Sequence, residues 1–335
     1  MASKTFILGA GFSAGAGFPL VSGLKEDVIR FIQKEKHPSW DSCCESGFHG
    51  YPDGPFYAGL NDVDPERQLE FEELLLNLNQ RVLANNGRDP WHSTQRILRN
   101  GCGRLLWNKQ RALAAMPTRY LNFASWMYEL HDCNFTNAAI SFNWDLVIEK
   151  ALERCGIHWS YSVHSSVPIL KPHGSINWSR HLQEGLTSNY PCYQPISKDS
   201  PYCFIPERPF VDPFANGPGK NLRHMTFPGD PEDEQGVSRI WKEAAQAIRE
   251  REEVVFIGYS LPDYDQKALE FFRTNIEDKP VSVYVRSHKT LERYRQLLKN
   301  VRTTEPEDFE DCPYVKPCPD SASFSSLWQK AINNS

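Results

Sequence analysis

Hydrophobic and polar positions change period several times along the chain, and each change marks an element. "TFILGAG", from Thr5 to Gly11, is a short apolar run that stops at glycines, the pattern of a buried parallel strand entering a turn. In "GLKEDVIRFIQKEK" the apolar residues Leu24, Val28, Ile29 and Ile32 recur at helical spacing, so a helix follows. From about residue 64 to residue 131 the pattern is helical almost throughout, in "DPERQLEFEELLLNLNQRVL", "STQRILRNGCGRLLWNKQRALAAM" and "RYLNFASWMYELHDC". Strand-like runs then return, each tied to a helix: "AAISF" before "DLVIEKALERCG", "PILK" before "HGSINW", "EVVFIG" before "DYDQKALEFFRTNI", and finally "VSVYVR". The stretch "SRIWKEAAQAIRERE" carries Ile240, Trp241, Ala244, Ala245 and Ile248 at helical spacing and feeds the strand at Val254.

This alternation predicts an α/β protein: a Rossmann-like, mainly parallel sheet with helices on both faces, plus a large helical insertion. The core is expected from residues 1–24, 119–181 and 237–305, the helical insertion from 25–118, and a C-terminal tail from 306–335. Residues 182–236 are rich in proline, tyrosine, glycine and aspartate and show no clean period. They are expected to be surface loops, and loops of that length in an ordered domain tend to lie near a site.

Composition narrows the function classes. Across 335 residues, 40% are hydrophobic and 24% charged, which fits a globular domain and leaves little room for a long disordered tract. A net charge of -5 gives no global attraction to nucleic acid or to an anionic membrane. The basic stretch "RSHKTLERYRQLLKNVR", from Arg286, has the leucine and valine spacing of an amphipathic helix with a solvated face. The nine cysteines are scattered, odd in number and contain no C-x-x-C pair, so neither a disulfide framework nor a zinc ribbon is signalled, and reduced thiols in a cytoplasm are expected. "MASK" followed by "FILGAGFSAGAGFPLV" imitates a secretory signal, but the glycines between Gly9 and Gly17 are too dense for a helix-forming signal core. No run approaches the roughly 20 apolar residues of a membrane span.

Four strand ends carry candidate chemistry. In "GAGFSAG", Gly9, Gly11 and Ala14 fit the G-x-G-x-x-G/A pattern, in which a tight turn lets a diphosphate rest on a helix N-terminus; a plain strand-to-helix turn has the same look. The acidic residue expected about 20 positions on at the end of a second strand is missing, which speaks against a hydride-transfer domain. "SFNWD" places Asn143 and Asp145 two residues apart after an apolar run; they are either ligand-binding groups at the sheet edge or N-caps of the following helix. "KPHG" places His173 between a proline and a glycine, either as a base with an ordinary pKa near 6.5 or as a turn residue. In "FIGYSLPDYD", Gly258 permits close approach of a ligand and Ser260 offers a hydroxyl, with a strand-to-helix turn as the other reading.

As an ordered set, "GAGFS", "SFNWD", "KPHGSINW" and "FIGYSLPDYD" resemble the sirtuin-like superfamily, specifically its prokaryotic NAD-consuming, defence-associated branch. The resemblance covers roughly residues 4–24, 119–181 and 237–286. It departs from protein-deacylating sirtuins where an Asp-Phe-Arg run is replaced by Leu20, Val21 and Ser22, where a glutamine is replaced by Phe142, and where no four-cysteine zinc module exists. Acyl-lysine chemistry is therefore not expected, and no zinc is expected.

The resemblance implies NAD as substrate, lying across the sheet edge against Gly9, Ala10, Gly11, Phe12, Ser13, Gly258 and Ser260. It implies catalysis by Asn143 on ribose or water, Asp145 on the carboxamide and His173 as general base, with nicotinamide and ADP-ribose as products. It further implies a cytoplasmic homo-oligomer acting in bacterial antiviral defence through NAD depletion, alongside a helicase-like ATPase or a nucleic-acid-guided defence protein. Mono-ADP-ribosyl transfer and a non-catalytic module that binds NAD or ADP-ribose remain as alternatives.

Overall fold

A computed structural model describes residues 2–35, 55–85, 91–128, 137–180, 194–195, 202–204, 223–225 and 237–316. The first strand, β1 (Lys4–Leu8), is buried at every position. It needs to be, because it lies in the middle of a five-stranded parallel sheet with β2 (Ala138–Ser141) on one side and β8 (Glu253–Ile257) on the other. β3 (Ile169–Leu170) and β9 (Val281–Tyr284) form the edges, giving the order β3-β2-β1-β8-β9. Central strands buried on both faces read as unbroken apolar runs. The β9 edge instead alternates, with Val281 and Val283 buried and Ser282 and Tyr284 partly exposed.

Helices cover both faces. Phe6 packs edge-on against Phe123 of a helix at Thr118–Met127, while its neighbour Thr5 points the other way and donates its hydroxyl to the carbonyl of Ala247 at 3.0 Å, within the helix Val237–Glu250. Phe256 of β8 packs against Phe272 of the helix Gln266–Ile276 and Tyr294 of the helix His288–Leu297.

Between β1 and β2 the chain forms a short helix at Ala10–Ala14 and then a layer of four helices: Val21–Glu35, Pro55–Val63, Phe71–Ala84 and Trp91–Ala112. The last packs against the other three. Gly101 permits this approach, since a β-carbon there would lie 2.8 Å from the Ile32 side chain. The helical pattern from residue 64 starts later than the sequence predicts, at Phe71. Asp64 is the reason: its carboxylate accepts from the amides of Gln68 (2.8 Å) and Leu69 (3.2 Å) and pairs with buried Lys25 (2.9 Å), which holds residues 64–70 in a turn.

Two further expectations are corrected. "HGSINW", read as helical, lies largely in a strand, β4 (Gly174–Arg180), whose buried Ile176 and Trp178 follow the two-residue period of a sheet face. Residues 182–236, read as loops, contribute β5 (Gln194–Pro195), β6 (Tyr202–Phe204) and β7 (Arg223–Met225), which join β4 in an antiparallel sheet of order β5-β6-β4-β7. The remainder of that stretch lies outside the described residues.

The segment expected as a tail packs inward as far as it is described. Two single-turn helices at Phe309–Asp311 and Pro313–Val315 bury Phe309 against Phe12 and Tyr120, and Tyr314 against Phe6 and Trp126.

Cys102, Cys155 and Cys312 are buried free thiols, and burial pushes Cys155 and Cys312 up to about 12, so neither ionises near neutrality. Among the described residues no cluster of three or more His, Cys, Asp or Glu side chains is arranged to hold a metal, and no helix is long and apolar enough to cross a membrane.

Candidate active site

The strand order reverses direction between β1 and β8, and open α/β sheets bind ligands outside the strand C-termini at such a point. The turns that leave these two strands interlock. Gly9 donates its amide to the carbonyl of Ile257 (3.0 Å), and Gly11 donates to that of Gly258 (2.9 Å). Gly258 has φ = 64°, and a β-carbon there would lie 2.4 Å from the Phe12 amide nitrogen; one on Gly11 would lie 2.7 Å from the Gly258 α-carbon. The glycines that the sequence assigns to a ligand are thus needed first for backbone-to-backbone contact. The amides of Gly11 and Phe12 are already engaged, the latter with the Gly9 carbonyl at 2.9 Å.

A cavity of about 60 Å³ opens beside this turn, and the sequence-predicted residues Gly9, Ala10, Ser13, Asn143, Asp145, His173, Gly258 and Ser260 all line it. A wider cleft of about 210 Å³ continues past Ala10, Gly11, Gly258 and Ser260 to Arg286, Thr290 and Asp308 at the end of β9. Phe12 lines neither. Its ring is buried among Tyr120, Phe123 and Phe309, so the structure places it in the core.

Asn143 is held rigidly: its side-chain amide donates to the Gly9 carbonyl (2.8 Å) and to the Ser13 hydroxyl (3.0 Å). It does not cap the following helix. Asp145 accepts from the Val147 amide at 3.0 Å but lies one residue before the N-cap, Leu146, so it does not cap the helix, and it lines the cavity. Burial pushes the Asp145 carboxyl up, an effect that the charge of Lys171, the Val147 amide and the Ser13 hydroxyl only partly offset.

His173 is 7% exposed, with its ring edge-on to Phe142 and its backbone carbonyl accepting from the Trp144 indole at 2.9 Å. Its Nε2 lies 3.1 Å from Oδ2 of Asp265. The same carboxylate accepts from the Tyr259 hydroxyl (2.9 Å) and, through Oδ1, from the Ala268 amide (3.2 Å) as N-cap of the helix Gln266–Ile276. Burial opposes a charged imidazole here, but the charge and hydrogen bond of Asp265, with Glu72 beyond, outweigh it and raise the His173 pKa. Burial likewise disfavours a charged Asp265, and the His173 contact prevails, lowering its pKa. Nδ1 of His173 is buried and meets no hydrogen-bond partner among the described residues. His173 is thus fixed through one nitrogen by a carboxylate in the wall of the cavity, and its other nitrogen is buried without a partner among the described residues.

Sequence reasoning missed three contributors. Asp265 closes the quoted motif "FIGYSLPDYD", and its place three residues after Pro262 at a helix start was the available signal. Lys171, two residues before His173, is fully buried; it donates to Oε1 of Glu149 (3.0 Å) and to the Asp145 carbonyl, and so ties the two strand ends together. Glu72 reaches the cavity from the helical layer, and no local motif marks it.

The topology and site therefore define an open parallel α/β sheet whose ligand crevice lies at its switch point, with a histidine–carboxylate pair in the wall. No protein-family model matches the sequence, and no curated protein matches it either. Similar solved structures include a Sir2 homologue mutant in complex with ADP-ribose (12% identity, 99% of this chain and 93% of that chain, TM-score 0.41) and a Sir2 homologue–NAD complex (12% identity, 99% and 91%, TM-score 0.39). Another is Sir2Tm bound to a propionylated peptide (11% identity, 92% and 89%, TM-score 0.40). At these scores the likeness carries no argument, and the topology stands on the strand pairing itself.

Proposed function

We propose that this chain hydrolyses NAD to nicotinamide and ADP-ribose. The observation that carries the reading is the His173–Asp265 pair facing Asn143 and Asp145 across one cavity at the switch point. The ligand class comes from the resemblance of the motifs. In this reading the nicotinamide riboside half occupies the inner cavity, the diphosphate passes Gly9, Ala10, Gly11, Ser13, Gly258 and Ser260, and the adenosine half lies in the wider cleft toward β9.

Asn143 holds the ribose or the attacking water, Asp145 accepts from the carboxamide, and His173 takes the proton from water. The glycosidic carbon–nitrogen bond breaks with its electron pair passing to the ring nitrogen, a new carbon–oxygen bond forms to water, and the proton leaves through His173. Asn143 is already anchored by two hydrogen bonds, so little ordering remains to be done when the substrate arrives. Water is the acceptor because Val21, Leu24, Glu72 and Leu106 of the helical layer wall the cavity, where a peptide acceptor would need an open approach.

A homo-oligomeric effector of antiviral defence, working with a helicase-like ATPase or a nucleic-acid-guided protein, is proposed on the motif resemblance and on no residue of the site. The test is incubation with NAD and quantification of nicotinamide and ADP-ribose, with and without His173→Ala. Equal amounts of both products, lost in the variant, are expected. A labelled macromolecule in place of free ADP-ribose would point to transfer, and binding without products to a sensor module.

A further inference from the structure

Three carboxylates line the inner cavity, and two of them have a counter-charge. Asp265 is paired with His173 at 3.1 Å, and Asp145 lies within the field of buried Lys171. Glu72, in the first turn of the helix Phe71–Ala84, has none: it is 8% exposed and forms no ion pair among the described residues. The groups whose charges or hydrogen bonds reach it are His173, Asp265, Tyr264 and Glu70, and its own charge is felt by Cys102 and Tyr259. Of these only His173 can take up a positive charge, and Asp265, 3.1 Å from it, is its direct partner.

A buried carboxylate without a counter-charge is unfavourable and ordinarily gives up its charge. Burial accordingly pushes Glu72 up to about 7, so near neutrality it stands between its two forms. When Glu72 ionises, the cavity wall gains a negative charge without an ion-pair partner among the described residues, which a positive ligand would stabilise.

We propose, resting on the NAD-cleaving reading, that Glu72 is a catalytic residue whose carboxylate is the counter-charge for the nicotinamide riboside cation. NAD brings a positive pyridinium ring into this cavity. As the carbon–nitrogen bond breaks, its electron pair neutralises the ring and the positive charge passes to the ribosyl carbon and ring oxygen. Water then bonds to that carbon and loses its proton to His173. A fixed carboxylate in a water-poor cavity favours the migrating cation most strongly where the charge is least shielded. It comes from the helical layer, which therefore supplies chemistry as well as a wall.

The experiment compares wild type with Glu72→Gln, which keeps the shape and removes the charge, and with Glu72→Asp as a second variant that keeps the charge. Calorimetry at pH 7 in two buffers of different ionisation enthalpy measures protons released on binding a carbocyclic NAD analogue, which retains the cationic ring but resists cleavage. The wild type should release protons with the analogue and not with ADP-ribose, which lacks the ring, and Glu72→Gln should release none. Turnover of NAD by Glu72→Gln should fall about tenfold or more with KM little changed, as for an interaction used in bond breaking, and Glu72→Asp should recover part of it. Wild-type turnover of NAD with equal proton release and near-equal kcat in Glu72→Gln would overturn the role of Glu72 alone. No turnover of NAD by the wild type would overturn the NAD-cleaving reading and take this inference with it.

Discussion

Two buried cation–carboxylate pairs lie at the end of β3, two residues apart in sequence, and they differ in what surrounds them. Lys171 and Glu149 lie away from the cavity: the ammonium also donates to the Asp145 carbonyl, Oε1 of Glu149 also accepts from Tyr161 at 3.0 Å, and its buried Oε2 meets no hydrogen-bond partner among the described residues. His173 and Asp265 border the cavity, and Nδ1 of the histidine is buried without a partner among the described residues. The first pair fixes strand ends; the second stands where a reactant can meet it. Burial, ion pairing and an unused polar atom therefore do not distinguish a structural pair from a reactive one, whereas a place in a cavity wall does.

The comparison can be broken most severely at Lys171. Lys171→Met leaves Glu149 buried without its cation and should cost about 3–5 kcal/mol in urea unfolding, with any remaining folded protein retaining activity. A loss below about 1 kcal/mol, on the scale of an exposed pair, would show that the pair is not what ties the strands.

Next in size is His173→Ala, expected to lower turnover by about 10²-fold or more. Its stability cost should be smaller than that of Lys171→Met, because Asp265 keeps its bonds to Tyr259 and Ala268 and faces a cavity that water can enter. A variant that unfolds as readily as Lys171→Met while remaining active per folded molecule would make His173 a structural residue.

Gly11→Ala sharpens the contrast between ligand approach and backbone approach. The added β-carbon meets the Gly258 α-carbon at 2.7 Å, so a loss of about 1–3 kcal/mol from overpacking is expected even without ligand. Thermal unfolding that matches wild type, with NAD affinity abolished, would instead assign this glycine to the ligand alone.

The smallest effect is in the pH dependence of stability. The pKa of Glu72 is raised from 4.5 to about 7, so between those values the unfolded chain has lost a proton that the folded chain retains, and stability falls as pH rises. His173, also raised, adds stability that is fully present below its ordinary 6.5 and is lost as pH climbs through the higher folded value. Asp265 works at the acid end, where its lowered pKa adds stability above its ordinary 3.8 that is lost as pH falls through the still lower folded value. Denaturant midpoints from pH 5 to 8 should therefore decline in wild type and decline less in Glu72→Gln. Parallel curves would mean that Glu72 is not desolvated in solution.

The strand ends that hold Asn143, Asp145, His173, Gly258 and Ser260 were legible in the sequence because each is a local event. An apolar run stops, and small or polar residues follow. β4 was not legible as a strand: its Gly174-Ser175 start and short length resemble a turn entering a helix, and the alternation of Ile176 and Trp178 spans too few residues to outweigh that look. Pairing with β6 and β7 decides its conformation, and those strands come from a stretch without a period of its own.

The same division holds for the site. Residue type and order along the chain determined that His173 and Asn143 would sit at strand termini on one edge of a parallel sheet, since hydrophobic periodicity and glycine turns act over a few residues. Only the tertiary structure decided that Asp265 reaches His173, that Phe12 turns into the core, and that Glu72 enters the cavity from a distant helix. Desolvation and charge pairing depend on distance through space, and no spacing along the chain encodes that distance when the partners come from separate elements.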